Sequence, residues 1–299
     1  MALSAFARLK NSDIITEKQG EFFRKCTTAL VTTRLKRKPS IRCDVQRLLF
    51  ACLSLMLVFT GLSGCLNGAG DEDGLQIAVA YEQTSGTILH QYEEGDLVHV
   101  ENVVLTFDFE GTTSTKTLET FGVNRLDGRP GTTVDASTSH EVSVEFTEHG
   151  LHELALFASD SVEQRIVLIT VRIEWRIEWI ETSTSEPMPM ELDTSPLNNG
   201  TPPSVLVIES TVHNPALVAN IGGGQEVDVT WALIDEADQA CQSQPGTVQD
   251  GESSTWNTVH FNTNEVHQLQ ITYEEGQDAI DVQQTVAVQY ETLETPANA

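Results

Sequence analysis

Leu62-Ser63-Gly64-Cys65 carries the most specific chemistry in this sequence. The four residues follow residues 48–61, a run of 14 without charge, and the basic stretch 34–47. A thiol emerging at a membrane face can be modified by a lipid transferase. Two small residues before it let a peptidase reach the preceding bond. The run also fits the 7–15 residues of a signal-peptide apolar region. A retained transmembrane helix is the other reading, because residues 48–66 are 19 uncharged positions and a bilayer needs about 20. Either reading keeps the basic cluster in the cytoplasm and puts residues 66–299 outside.

The remaining candidates are weaker. His152 and His267 recur in similar local sequence, in phase with the apolar face of their segments. No metal-ligand spacing surrounds them, so a packing role is expected and no metal site is assigned. His149 beside His152 offers only weak surface chelation. The acidic runs 71–73, 93–94, 235–238 and 274–275 lack calcium-loop spacing, so solvated charge is expected there, with Ca²⁺ as the alternative. Gly222-Gly223-Gly224 lacks the Lys and the following helix of a phosphate loop. Asn199-Gly200-Thr201 is an N-glycosylation sequon in an exposed stretch. No His-Glu-x-x-His, Gly-x-Ser-x-Gly, Cys-x-x-Cys or P-loop is present, so no catalytic residue is assigned.

Charge divides the chain at the same place. Residues 1–64 hold 11 of the 17 Lys and Arg and four of the 44 acids. Residues 65–299 hold 6 basic and 40 acidic side chains, a formal balance of −34. Such a body repels phosphate backbones, which excludes nucleic acid as a partner. Lys-poor acidity suits a marine or halophilic prokaryote, and equally an ordinary acidic secreted protein. Of five cysteines, Cys26, Cys43 and Cys52 precede Cys65. With Cys65 lipidated, Cys241 has no disulfide partner, and stability must come from packed cores. The basic head is long and lacks an internal Met before Met56; initiation near Val31 at an alternative start codon is expected.

The elements that position these residues are strands. From Leu75 onward the apolar period is two, most clearly at Val167, Ile169, Val171, Ile173, Trp175, Ile177 and Trp179. Thirteen residues at about 3.4 Å each make a long strand. This one is expected to close one domain and open the next. Phe146, His152, Leu154 and Leu156 recur 115 positions later as Phe261, His267, Leu269 and Ile271, and Trp175 as Tyr290. Five of ten prolines fall within 181–203, which predicts a loop or linker. The tail from Thr292 is expected to fray.

The basic flank, apolar run and Leu62–Cys65 together resemble the prokaryotic lipobox signal, bacterial or archaeal. The resemblance implies a mature N-terminus at Cys65 carrying lipid. Gly150-Leu-His-Glu-Leu-Ala-Leu followed by Ile169-Thr-Val-Arg-Ile is similar to the closing strands of PKD-type, immunoglobulin-like domains. Phe107-Asp-Phe-Glu-Gly is similar to that family's Trp-Asp-Phe-Gly-Asp-Gly turn, with Trp231 at the equivalent centre of a second copy. His152 and His267 depart from the family's Tyr, and the Gly-Asp-Gly turn is degraded.

The resulting expectation is all-β: two tandem Ig/PKD-like antiparallel sandwiches after an N-terminal signal or anchor helix. Residues 1–47 form the head, 48–64 the signal, 65–74 a tether, 75–175 and 176–292 the sandwiches, and 293–299 the tail. The expected role is a non-enzymatic surface lipoprotein with no cofactor, lipid-anchored, meeting an extracellular protein or glycan. Two alternatives remain. An accessory subunit of a surface enzyme or transport complex predicts an exposed apolar patch. A surface hydrolase predicts converging titratable groups in a pocket.

Overall fold

The computed structural model describes residues 74–198, 200–216, 224–261, 263–277 and 279–299. The expected head, signal helix and most of the tether lie outside these residues. Among the described residues every regular element is a strand, and no helix is long and apolar enough to cross a membrane.

The strands are β1 Ser85–Glu93, β2 Asp96–Glu101, β3 Val103–Asp108, β4 Leu118–Asn124, β5 Thr132–Asp135, β6 Glu141–Phe146, β7 Gly150–Asp160 and β8 Gln164–Thr184. They continue as β9 Met190–Asp193, β10 Val205–His213, β11 Val227–Ile234, β12 Ala240–Val248, β13 Ser253–His260, β14 Val266–Glu275 and β15 Ile280–Gln289. Alternation explains them. In β6 every second residue is buried, and in β11 Val227, Val229, Trp231 and Leu233 point inward together.

The long apolar run is one continuous strand of 21 residues, β8. Its odd-numbered face is buried, at Ile169, Val171, Ile173, Ile177 and Trp179. β8 runs through a nine-stranded sheet of path order β13-β10-β15-β8-β7-β4-β5, with β1 and β2 attached. Along β8, β7 pairs from Gln164 to Ile173 and β15 from Trp175 to Thr184. β1 runs parallel to residues 172–180. A strand has only two edges, so β7 and β15 lie end to end on one edge and β1 takes the other.

Two smaller sheets cover this large one. The β3–β6 pair closes a core around Phe107, Phe109, Leu154 and Val171. The β12-β11-β14-β9 sheet closes another around Trp231, Leu233, Leu269 and Val286. Trp175 packs against both cores. The described residues cluster as one compact unit.

Two expectations need correction. The Pro-rich stretch is not wholly a linker: Met190–Asp193 is an edge strand on β14, with Met190 and Leu192 buried. Flanking prolines cost nothing at an edge, where no further ladder is needed. Glu181, also buried, accepts hydrogen bonds from Trp179 Nε1 (2.8 Å) and the Met188 amide (3.1 Å). Nor does the tail fray. The Thr295 amide donates to the Thr170 carbonyl at 2.9 Å, and Arg172 grips both Glu294 oxygens at 2.9 Å.

The internal repeat keeps burial but not pairing. His152 and His267 are both buried, as are Leu154 and Leu269. Yet β7 and β8 form a hairpin in one sheet, whereas β14 and β15 separate into opposite sheets. Phe146 is 1% exposed and its counterpart Phe261 is 74% exposed. The repeated segments therefore pair their strands differently in the two halves of the chain.

Candidate functional site

The end-to-end junction of β7 and β15 leaves a seam, and Trp175 faces it. His149, in the turn before β7, stacks on Trp175 with ring centroids 5.3 Å apart and planes within 6°. His149 Nδ1 is hydrogen-bonded to the Tyr290 hydroxyl at 2.7 Å. Trp175 and Tyr290, partners in the sequence repeat, thus meet around one histidine. His90 approaches Trp175 edge-on at 5.5 Å.

Burial dominates the chemistry of these groups. It lowers the His149 pKa to about 4 and raises that of Tyr290, so both are neutral at pH 7. Burial lowers His90 as well. Trp175 Nε1 and His90 Nδ1 are buried without a hydrogen-bond partner within the protein. Both residues line a cavity of about 220 Å³ with His149, Asp193 and Leu197. A polar ligand group or a water can satisfy such atoms.

Beside it opens a larger cleft of about 880 Å³, sharing Glu148 and Leu197 with the first. Arg125 and Arg129 lie on its wall, two of the body's six cations. Arg129 is paired with Asp127 at 2.6 Å and lies 3.7 Å from Glu148. Arg125 sits 5.0 Å over the Phe146 ring. Leu126, Leu197 and Leu293 are exposed around it. The cleft therefore offers guanidinium, carboxylate, amide and apolar surface together.

The sequence candidates fall as follows. Leu62, Ser63, Gly64, Cys65 and Asn199 lie outside the described residues. Asn198, adjacent to the sequon, lines the cleft and donates from Nδ2 to the Leu151 carbonyl at 2.8 Å. His152 lines the same cleft, with Nε2 3.1 Å from the Glu148 carbonyl and its ring 5.3 Å from Phe146. Of the acidic runs, Asp235 spends Oδ1 on the amides of Ala237 and Gln239 in its own turn. His267 is fully buried, and the fold sets its ring against His260 with Cys241 nearby. Cys241 and His260 carried no signal as partners of His267 in the sequence. Their spacing matches no ligand motif, and only the packing of the four-stranded sheet against the edge of the nine-stranded one brings them together.

No family model matches the chain, and no curated protein matches it. Solved structures give distant likenesses. One is a structure described as a carbohydrate-binding module from the β-sandwich superfamily, at 7% identity and TM-score 0.26, covering 72% of this chain and 96% of that one. Another is the Bacteroides uniformis β-glucuronidase, at 7% identity and TM-score 0.25, where 72% of this chain matches 30% of the enzyme. A third is tripeptidyl peptidase 2, at 10% identity and TM-score 0.22, covering 71% of this chain and 20% of that one. The all-β class with several antiparallel sheets rests on the strands themselves.

Proposed function

We propose that this is a non-enzymatic, lipid-anchored surface protein. Two Ig/PKD-like sandwiches, fused through β8, are displayed outside the membrane, and the seam cleft receives an extracellular protein or glycan. The carrying observation is the coincidence of a basic flank, a 14-residue apolar run and Leu62-Ser63-Gly64-Cys65 ahead of an acidic body of balance −34. The mixed surface of the seam cleft supports binding, because convergent polar groups beside apolar walls orient a ligand. The tuning of the seam's titratable groups speaks for binding over acid–base work. A histidine held near pKa 4 is a poor general base at neutral pH.

Metabolic labelling with a lipid precursor tests the anchor. Wild type takes up label and Cys65→Ser does not; equal labelling of both sinks the reading.

One observation favours a second reading, an accessory subunit of a surface enzyme or transport complex. Phe157 is half-buried, Ile166 opposite it is 56% exposed, and neighbouring Leu168 is 62% exposed. They form an outward apolar row across β7 and β8. Cross-linking in native membranes, at native salt, distinguishes the two. A single adduct lost in Ile166→Glu supports the subunit role.

A further inference from the structure

Cys241, His260 and His267 present one sulfur and two imidazole nitrogens, all within 4.8 Å of one another. They arrive from three strands. Cys241 is the second residue of β12, His260 the last of β13 and His267 the second of β14. β12 and β14 flank β11 in the four-stranded sheet, and β13 edges the nine-stranded one. Both sheets therefore contribute to one end of the second sandwich.

Local devices aim each ligand atom. The β11–β12 register passes from Leu233↔Gln242 to Ile234↔Ala240, which leaves Cys241 as the extra residue of a bulge. A bulge re-aims a side chain that regular pairing would have fixed elsewhere. His267 Nδ1 lies 3.2 Å from the Glu265 carbonyl oxygen, so Nδ1 carries the proton and Nε2 keeps its lone pair. That Nε2 stands 3.2 Å from His260 Nε2, with the rings inclined at 74°. Two imidazoles on one tetrahedral ion, at metal–nitrogen distances of about 2.0–2.1 Å, place their nitrogens roughly 3.3–3.4 Å apart. The observed spacing is close to that of a shared ion.

The surroundings hold this geometry. Thr194, fully buried, sets its hydroxyl 2.8 and 2.9 Å from the carbonyls of Thr263 and Glu265. The Val266 amide donates to Glu236 Oε1 at 2.9 Å. Gln242 ties β12 to β13 by donating to the Val259 carbonyl at 2.9 Å. Glu265 Oε1, 3.5 Å from His267 Nε2, can supply a fourth ligand. Cys241 is a free, exposed thiol, which gives an ion a way in, while both imidazoles are buried.

We propose that Cys241, His260 and His267 form a mononuclear site for a transition-metal ion that prefers thiolate and imidazole, zinc(II) in the first instance, with Glu265 or water completing a tetrahedral shell. Binding deprotonates the Cys241 thiol, and the proton leaves to solvent. The site depends on neither the lipid anchor nor the seam cleft.

The test uses the full chain in detergent, stripped with chelator, dialysed and titrated with Co(II) and then Zn(II). Cys241 alkylation is followed by peptide mass spectrometry. One equivalent of Co(II) should give thiolate-to-cobalt charge transfer and tetrahedral ligand-field bands, both abolished by Zn(II). Zn(II) should slow Cys241 alkylation by at least about ten-fold. Cys241→Ser, an exposed and conservative change, should lose the charge-transfer band. His260→Ala should weaken binding by at least about ten-fold while circular dichroism reports an intact fold. Alkylation indifferent to Zn(II), or Co(II) spectra unchanged in both variants, overturns the site. So does only loose, salt-sensitive uptake of several ions by the acidic surface.

Discussion

His152 and His267 occupy the same position of the sequence repeat, 115 residues apart, and both are buried. Their neighbours set them apart. His152 gives Nε2 to the Glu148 carbonyl and leans on Phe146. His267 gives Nδ1 to the Glu265 carbonyl and turns Nε2 toward His260 and Cys241. At the same offset, Glu145 and Leu126 stand where the second half has His260 and Cys241. A repeat preserves a buried imidazole; which nitrogen faces a carbonyl decides whether it packs or ligates.

Core substitutions test the comparison most severely. Phe107→Ala and Trp231→Ala each remove a fully buried aromatic from one core, at a cost of about 3–5 kcal/mol. Because β8 belongs to both cores, each should lower one common unfolding transition in calorimetry. Two separated transitions would show that the halves are energetically independent.

The seam gives the next largest effect. His149 has a folded pKa near 4 against 6.5 for the free group. The unfolded chain therefore binds more protons between these values, so stability falls as pH drops from about 6.5 to about 4 and then levels. The loss is about 3 kcal/mol. In denaturant titrations across this range, His149→Gln should remove that part of the slope; an unchanged slope places the histidine in water.

Period-two alternation gives β6, β8 and β11 directly, and the phase of His152 and His267 gives their burial. β9 was hidden by its flanking prolines, because edge pairing is a tertiary fact. The tail was hidden by its polar composition. Its order comes from Arg172 and Thr170, more than 120 residues away. The ligand trio was hidden for another reason. Cys241 depends on a one-residue register shift, and His260 reaches it only across the gap between sheets. Residues 62–65, the clearest motif, lie outside the described residues.

Zinc should separate the halves more gently. At 100 times its Kd, an ion that binds only the folded chain adds about 2.7 kcal/mol. For a unit of this size that raises Tm by roughly 5–10 °C. Wild type and His152→Phe should both show the rise in differential scanning fluorimetry, and Cys241→Ser should not. Smaller still, Glu294→Gln weakens the clasp on Arg172 and should cost about 1–2 kcal/mol, with amide exchange rising at Thr170 and Thr295.

The most direct measurement is the long-range proton–nitrogen spectrum of the histidine rings, assigned by single substitutions, with and without one equivalent of Zn(II). The Nε2 signals of His260 and His267 should move to metal-bound shifts while those of His152 stay in place. Unmoved signals from His260 and His267, or movement of His152 with them, would contradict the division of roles between the two repeated histidines.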